Sequence, residues 1–251
     1  TKLSDLYSDP SLAQFYNVNQ TTRQDYAYCV QWTEKANSIL DLGCGTGTLA
    51  SLFSDRINVF AVDPAKAMLD IAADQIKTQN ISWVEGDARN IRLGQRFDCV
   101  ILSGHAFQVF LTKEDQLQVL MTIAAHLNQG GQFIFDSRNP SFPQSKERIK
   151  SQTLREFLHP EHGEMEAWNE STYDTSNHIL IYTNSYRVLK TSEVMSAQEK
   201  ICYPSQTDIA DMMIEAGLKV EKWLGDWDGD PYHPGSREII PIGGLISSKQ
   251  N

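Results

Sequence analysis

The sequence predicts an α/β fold: a mostly parallel sheet with helices on its faces, and an antiparallel β-sheet inserted late in the chain. Three observations carry this. Strand-like runs at 38–43, 58–63, 81–86, 98–103 and 132–136 alternate with helical patterns at about 48–54, 65–77 and 113–128, and alternation of this kind builds βαβ units. From about 152 to 204 the helical pattern gives way to alternating segments, the period of half-buried strands. After 205 a helix and two strands resume the first pattern.

The first 37 residues read as helical and irregular and are rich in aromatics, among them Tyr7, Phe15, Tyr16, Tyr26, Tyr28 and Trp32. The helical pattern at 113–128 places Leu117, Leu120, Met121, Ala124 and Leu127 on one stripe, and Gly130-Gly131 reads as its stop. In the insertion, the segments 165–173, 178–189 and 194–203 form a hairpin or three-stranded sheet, turned first at Asp174-Thr175-Ser176-Asn177. Ser205, with Asp208 three residues on, can cap a helix whose apolar face is Ile209, Met212, Met213 and Ala216, ended by Gly217. Strands at 219–224 and 237–242 close the chain, and the short connection between them makes the last one antiparallel. The expected division is one domain from 1–139 and 205–251, with 1–37 as a helical lid, and an inserted subdomain at 140–204 that serves as a substrate lid or an oligomer contact.

The 251 residues carry 22 basic and 32 acidic groups, a net charge of −10. With no Lys/Arg run, this speaks against a nucleic-acid partner, which needs a basic face. No apolar run approaches the ~18 residues of a membrane span, and Thr1-Lys2-Leu3-Ser4-Asp5 does not read as a signal peptide. Cys29, Cys44, Cys99 and Cys202 are widely spaced and form no C-x-x-C pair, as expected of free thiols in the cytoplasm.

The most informative stretch is Ile39-Leu40-Asp41-Leu42-Gly43-Cys44-Gly45-Thr46-Gly47. A strand runs into a glycine turn, where the backbone can bend sharply and approach a ligand without a Cβ in the way. A helix start after the turn would offer free N–H groups. The spacing is G-x-G-x-G; a dinucleotide fingerprint would need glycine at Thr48. Asp41 stands just before the glycines, where it would repel a pyrophosphate and suit a cation.

With that acidic residue and spacing, the chain resembles a class I S-adenosylmethionine-dependent methyltransferase of the bacterial small-molecule type. The resemblance runs motif by motif over about 38–138. It implies a Rossmann-like, doubly wound seven-stranded sheet in the order 3-2-1-4-5-7-6 with an antiparallel last strand. S-adenosylmethionine would be the methyl donor and S-adenosylhomocysteine the product. The resemblance assigns Asp41, Gly43, Cys44, Gly45 and Gly47 to the amino-acid end of the donor. Asp63, before Pro64, would accept from both ribose hydroxyls; the plainer alternative is a helix cap. Met68 would pack near the adenine, Asp87 accept from its amino group, and Ala88 bind the ring through its backbone N–H. Ser103, Gly104 and His105 would lie near the methyl group, with Phe107 and Gln108 on the site wall. Tyr16 would belong to a lid over the donor.

Where the family's amide- and base-methylating members carry N-P-P-[YF], this chain carries Ser103-Gly104-His105-Ala106-Phe107, so a DNA-base or glutamine acceptor is not expected. His105 is the candidate catalytic base, its unperturbed pKa near ~6.5 suiting the task. The segment from Trp227 to Glu238 resembles the W-D-G-x-P-[YF]-x-P-x-S-R-E of many small-molecule members. Tyr232, Arg237 and Arg138 are substrate candidates, Arg237 otherwise pairing with an internal acid. His159-Pro160-Glu161-His162 reads as an exposed turn, and no metal is expected. The expected partner is a small-molecule acceptor, with the protein a monomer or homodimer. Two alternatives stay open: an S-adenosylmethionine-binding protein that transfers no methyl group, and an NAD-dependent oxidoreductase.

Overall fold

The computed structural model describes residues 23–142, 147–160 and 162–246. Tyr7, Phe15, Tyr16 and Glu161 lie outside the described residues. The elements, in chain order, are α1 (Gln24–Trp32), β1 (Ser38–Leu42), β2 (Asn58–Asp63), α2 (Lys66–Gln75), β3 (Ile81–Glu85), β4 (Phe97–Leu102), α3 (Lys113–His126), β5 (Leu127–Phe135), β6 (Ser137–Arg138), α4 (Lys150–Thr153), β7 (Arg155–His159), β8 (Gly163–Asp174), β9 (Ile179–Val188), β10 (Val194–Cys202), α5 (Gln206–Glu215), β11 (Leu218–Leu224) and β12 (Glu238–Leu245).

The main sheet has the order β11-β12-β5-β4-β1-β2-β3, with the two-residue β6 paired to β12. β1 to β5 run parallel, and β12 is antiparallel to both β5 and β11. Counted along the chain this is 3-2-1-4-5-7-6, the expected order with the expected antiparallel last strand. The sheet is covered on both faces, and the central strands present apolar side chains to each, as buried parallel strands do. Leu40, Val100, Leu102, Phe133 and Phe135 pack on one side with Val119, Leu120 and Ile123 of α3 and Met212 and Met213 of α5. Their neighbours Ile39, Ile101, Ile134 and Ile240 pack on the other side with Cys29 of α1 and with Ala50 and Phe53. The two sets alternate because successive strand side chains point to opposite faces. Each fully buried Leu, Ile or Phe side chain contributes roughly 1.5–3 kcal/mol. On β12, a Cβ at Gly243 would collide with the Lys219 carbonyl of β11, so glycine there permits the close β11–β12 pairing.

Several expectations are corrected. The pattern at 48–54 is no α-helix but a single 3-10 turn, Ala50–Leu52. α3 buries Gln116, Val119, Leu120, Thr122, Ile123 and His126, leaving Met121 exposed; the true stripe is rotated from the one read off the leucines. Gly130-Gly131 does not stop this helix. It ends at His126 and the chain enters β5 at once, with Gly131 so tight against Phe97 O that a Cβ would lie 2.9 Å from it. α5 starts as expected, in a capping box between Ser205 and Asp208.

The second sheet has four strands, in the order β10-β9-β8-β7. The sequence reading found three and missed β7 and the short α4. β7 contains the supposed turn residue His159, which is buried, and the His162 N–H donates to its Nδ1 at 3.3 Å. Among the described residues no helix is long and apolar enough to cross a membrane.

Candidate active site

The glycine turn is pinned from the neighbouring strand. Gly43 and Cys44 donate backbone N–H groups to Val62 O at 2.7 and 3.0 Å, and Gly47 N–H donates to Cys44 O at 3.0 Å. Gly45 N–H donates to Asp63 Oδ2 at 2.8 Å. Gly43, Gly45 and Gly47 all have positive φ, 73°, 56° and 76°, which glycine adopts without strain. These N–H groups are spent inside the protein, so the expected fan of free helix-terminal donors does not form here.

Asp41 lies behind this turn, 2% exposed. Its Oδ2 is buried without a hydrogen-bond partner. Burial and the nearby Asp63 carboxylate push its pKa up to about 7, against a smaller opposing pull from Arg23. A buried acceptor of this kind costs stability until a cation or donor meets it. A small recess between Arg23, Tyr26, Asp41, Cys44 and Gly104 opens beside it.

Asp63 caps as well as faces the site. Its Oδ1 accepts from Ala65 N–H at 2.8 Å while Oδ2 accepts from Gly45. Each oxygen keeps a second acceptor position, so the cap and the ribose reading are compatible. Burial raises its pKa, and the two backbone hydrogen bonds oppose the rise. Asp87 differs from expectation in having a partner of its own. Arg89 grips it through Nε and Nη2, at 2.6 Å for the closest pair, and also reaches Asp115 at 3.0 Å. The Arg89 hydrogen bonds hold the Asp87 carboxyl below its usual range.

These residues border one cavity of about 880 Å³ at the carboxyl ends of the parallel strands, where ligands bind in open α/β sheets. Its floor includes Gly43, Gly45, Asp63, Pro64, Met68, Asp87, Ala88, Ser103, Gly104 and His105, and Arg138 lies in its wall. Its roof is one face of the second sheet, where cross-strand neighbours place Asn169 beside Asn184 and Ser171 beside Tyr182. Glu199 lies opposite Tyr182, and Ile201 opposite Leu180. Gln108 ties roof to floor. Its Nε2 donates to Cys202 O at 2.7 Å, and its Oε1 accepts from Arg138 Nη1 at 3.0 Å.

Not every expected residue reaches the cavity. Phe107 is fully buried against Phe135, with ring centroids 4.6 Å apart; the left-handed turn at His105 sends it inward. Gln108 is buried as well. Tyr232 packs against the core and does not border the cavity. Arg237 points outward, its Nε 3.7 Å from Glu238 Oε1, the internal acid its alternative reading allowed. Gly47 lies outside the cavity, under Trp83. Cys44 borders the recess rather than the cavity.

Two acids escaped the sequence reading. Glu238 Oε2 lies 2.9 Å from His105 Nε2 and Asp136 Oδ2 lies 3.4 Å from it, while the His105 backbone N–H donates to Asp136 Oδ1 at 2.9 Å. The three side chains bring ligand-capable atoms within 4.8 Å of one another, a set able to hold a cation. The 2.9 Å separation is that of a direct hydrogen bond. Glu238 closes the segment from Trp227 that the resemblance singled out, and that was its one signal.

A family model described as a methyltransferase domain matches residues 39–131. The chain is 26% identical to a cypemycin N-terminal methyltransferase from Streptomyces sp, over 94% of this chain and 98% of that one. Residues 39–131 thus carry a methyltransferase domain. Among solved structures, the CcbJ methyltransferase of Streptomyces caelestis shares its fold with a TM-score of 0.78 at 19% identity, covering 96% of this chain and 98% of the other. An amino pentose methyltransferase from Micromonospora echinaspora, solved with S-adenosylmethionine bound, has a TM-score of 0.69 at 19% identity, covering 94% and 98%. The matched segment of this methyltransferase starts in β1 and ends in β5, the strands that carry the cavity floor. The second sheet lies beyond it.

Proposed function

We propose that this methyltransferase moves the methyl group of S-adenosylmethionine to a small polar acceptor held between the strand ends and the second sheet. The observation that carries the donor end is Asp41: a buried carboxylate with an orphaned oxygen, beside a glycine turn, suits the ammonium of the donor's amino-acid part. Asp63 and Asp87 border the cavity itself, and acids at its floor favour a cationic ligand over the pyrophosphate of NAD. When bound, the donor supplies an electrophilic methyl on a sulfonium.

The chain's own part is to hold, align and keep dry. Asp41 meets the ammonium, Asp63 the ribose hydroxyls, Met68 and Ala88 the adenine, and Asp87 its amino group. Ser103, Gly104 and His105 surround the reacting carbon. Alignment and exclusion of water supply much of the acceleration in such a displacement. The roof supports the polar acceptor, because Asn169, Asn184, Ser171 and Tyr182 offer hydrogen bonds to a sugar-like or peptide-like group. The relatives fit this reading, since one is named a cypemycin N-terminal methyltransferase and another an amino pentose methyltransferase. Residues 140–204 serve as the acceptor lid, and 1–139 with 205–251 as the donor domain. The four free cysteines fit a reducing cytoplasm, and the net charge of −10 speaks against nucleic acid as acceptor.

The test has two steps. Calorimetry with S-adenosylhomocysteine should give saturable one-to-one binding, and its absence removes the donor assignment. A panel of amines, hydroxyl compounds and thiols, scored for S-adenosylhomocysteine release, then separates transfer from mere binding.

A further inference from the structure

His105 is held at both its backbone and its ring. Its φ is +61°, a left-handed conformation that a non-glycine residue adopts at a cost of about 1–3 kcal/mol and that clusters at functional sites. The backbone N–H is fixed on Asp136 Oδ1 at 2.9 Å. Ring Nε2 faces Glu238 Oε2 at 2.9 Å and Asp136 Oδ2 at 3.4 Å. Both acids lie behind the histidine, 1% and 8% exposed at the side chain, while the His105 side chain keeps 22% exposure and borders the cavity. Nδ1 makes no hydrogen bond to any described residue.

Two carboxylates on one ring nitrogen leave a single neutral tautomer. A bare Nε2 would set its lone pair against the acceptor oxygens, so the hydrogen sits on Nε2 and the lone pair on Nδ1. We propose that Glu238 and Asp136 are positioning residues that hold His105 with a bare Nδ1 towards the acceptor. His105 is then the base that takes the acceptor's proton. This rests on the methyl-transfer reading above and narrows it: the acceptor atom carries a proton it must lose, as an ammonium or a hydroxyl does and a thioether does not. The balance closes within the site. The acceptor's electron pair forms the bond to the methyl carbon, the carbon–sulfur bond breaks, and its electron pair stays on sulfur as the product thioether. The acceptor's proton passes to Nδ1, and the imidazolium so formed keeps its Nε2–H on Glu238 until the proton leaves to solvent. One positive charge leaves the sulfur as one appears on the ring, next to two acids that stabilise it.

Other charges face this group. Arg237 Nε lies 3.7 Å from Glu238 Oε1. Asp25, paired with Arg23, raises the Asp136 carboxyl, which burial raises most. Single substitutions at Glu238 and at Asp136 are therefore both needed.

The test is long-range 1H–15N correlation on histidine-labelled protein loaded with S-adenosylhomocysteine. The expected spectrum shows His105 protonated at Nε2 and bare at Nδ1. Glu238→Gln, which keeps shape and can offer Nε2 an amide donor, should move the ring hydrogen from Nε2 to Nδ1 in part of the population while S-adenosylhomocysteine still binds. Asp136→Asn should move it the same way. His105→Asn keeps a residue that tolerates the left-handed turn. Its kcat on amine or hydroxyl acceptors should fall at least about a hundredfold, with KM little changed. A ring protonated at Nδ1 in the unmodified protein, a tautomer that Glu238→Gln leaves in place, a zinc ion bound stoichiometrically by His105, or an unchanged kcat in His105→Asn overturns the proposal. Loss of S-adenosylhomocysteine binding by the unmodified protein would instead overturn the donor reading.

Discussion

Oδ2 of Asp63 accepts the backbone N–H of Gly45 at 2.8 Å, so the acid ending β2 holds the glycine turn that follows β1. The other oxygen holds the Ala65 N–H. One carboxylate thus shapes the turn, starts α2 and borders the cavity. Asp63→Ala strips two backbone donors of a charged acceptor, each such hydrogen bond being worth roughly 1.5–3 kcal/mol. It should lower unfolding free energy in urea by about 3–6 kcal/mol and weaken S-adenosylhomocysteine at least about tenfold. Asp63→Asn keeps only one acceptor oxygen, its NH2 facing the other backbone donor, and should fall between. A variant that keeps full affinity removes Asp63 from the ribose role.

Gly47 is required for two independent reasons. Its φ is +76°, and a Cβ there would come within 2.7 Å of Trp83 Cζ3 and 3.1 Å of Ala72 Cβ. Gly47→Ala should destabilise by about 2–5 kcal/mol, summing left-handed strain of roughly 1–2 kcal/mol and overpacking of about 1–3 kcal/mol. Gly47→Ala combined with Trp83→Leu relieves only the steric part. Its coupling energy, measured by a double-mutant cycle, should therefore be favourable yet leave the strain behind. A cycle that restores full stability would show the backbone is unstrained.

The roof and floor of the cavity separate two binding functions. Tyr182→Ala and Asn184→Ala alter only the second sheet, away from the glycine turn and Asp63. Calorimetry on each should return S-adenosylhomocysteine affinity within about twofold of wild type, as expected for independent sites. Acceptor KM should rise. A tenfold loss of donor affinity in either variant would place the donor against the second sheet and contradict the division between lid and donor domain.

The parts of the site built from local sequence were legible. The strand ends carrying Asp41, Asp63 and Asp87 could be placed from periodicity and spacing, and the Ser205 cap from its box. What escaped depends on distances the sequence does not show. Glu238 meets His105 across 133 residues, and only the completed β5–β12 edge brings them together. Arg89 lies two residues from Asp87, yet the pairing needs the turn after β3 and the Asp115 anchor on α3. Phe107 was assigned to the site wall because it follows His105, but the left-handed backbone there redirects it to the core. The α3 stripe was misread because leucine and methionine drew the phase, whereas Val119, Ile123 and the polar Gln116 and Thr122 are the buried ones.

Asp41 gives the donor site a pH signature. Its folded pKa of about 7 lies above the unfolded value of ~3.9. The ligand-free native state therefore binds the proton more tightly than the unfolded chain, and stability falls as pH rises from about 4 through about 7. Asp63 and Asp136, also raised by burial, add to the same slope, so the share of Asp41 is isolated by Asp41→Asn. An ammonium placed on Asp41 requires the ionised form. S-adenosylhomocysteine affinity should therefore rise with pH up to about 7 and level off above it, while the free protein loses stability over the same range. Asp41→Asn should be at least as stable as wild type without ligand, since it removes a buried charge, yet bind S-adenosylhomocysteine at least about tenfold more weakly. Its affinity should be flat across that window. Calorimetry and thermal melts between about pH 5 and about pH 9 read both quantities. Equal slopes in wild type and Asp41→Asn would show that another group carries the ammonium.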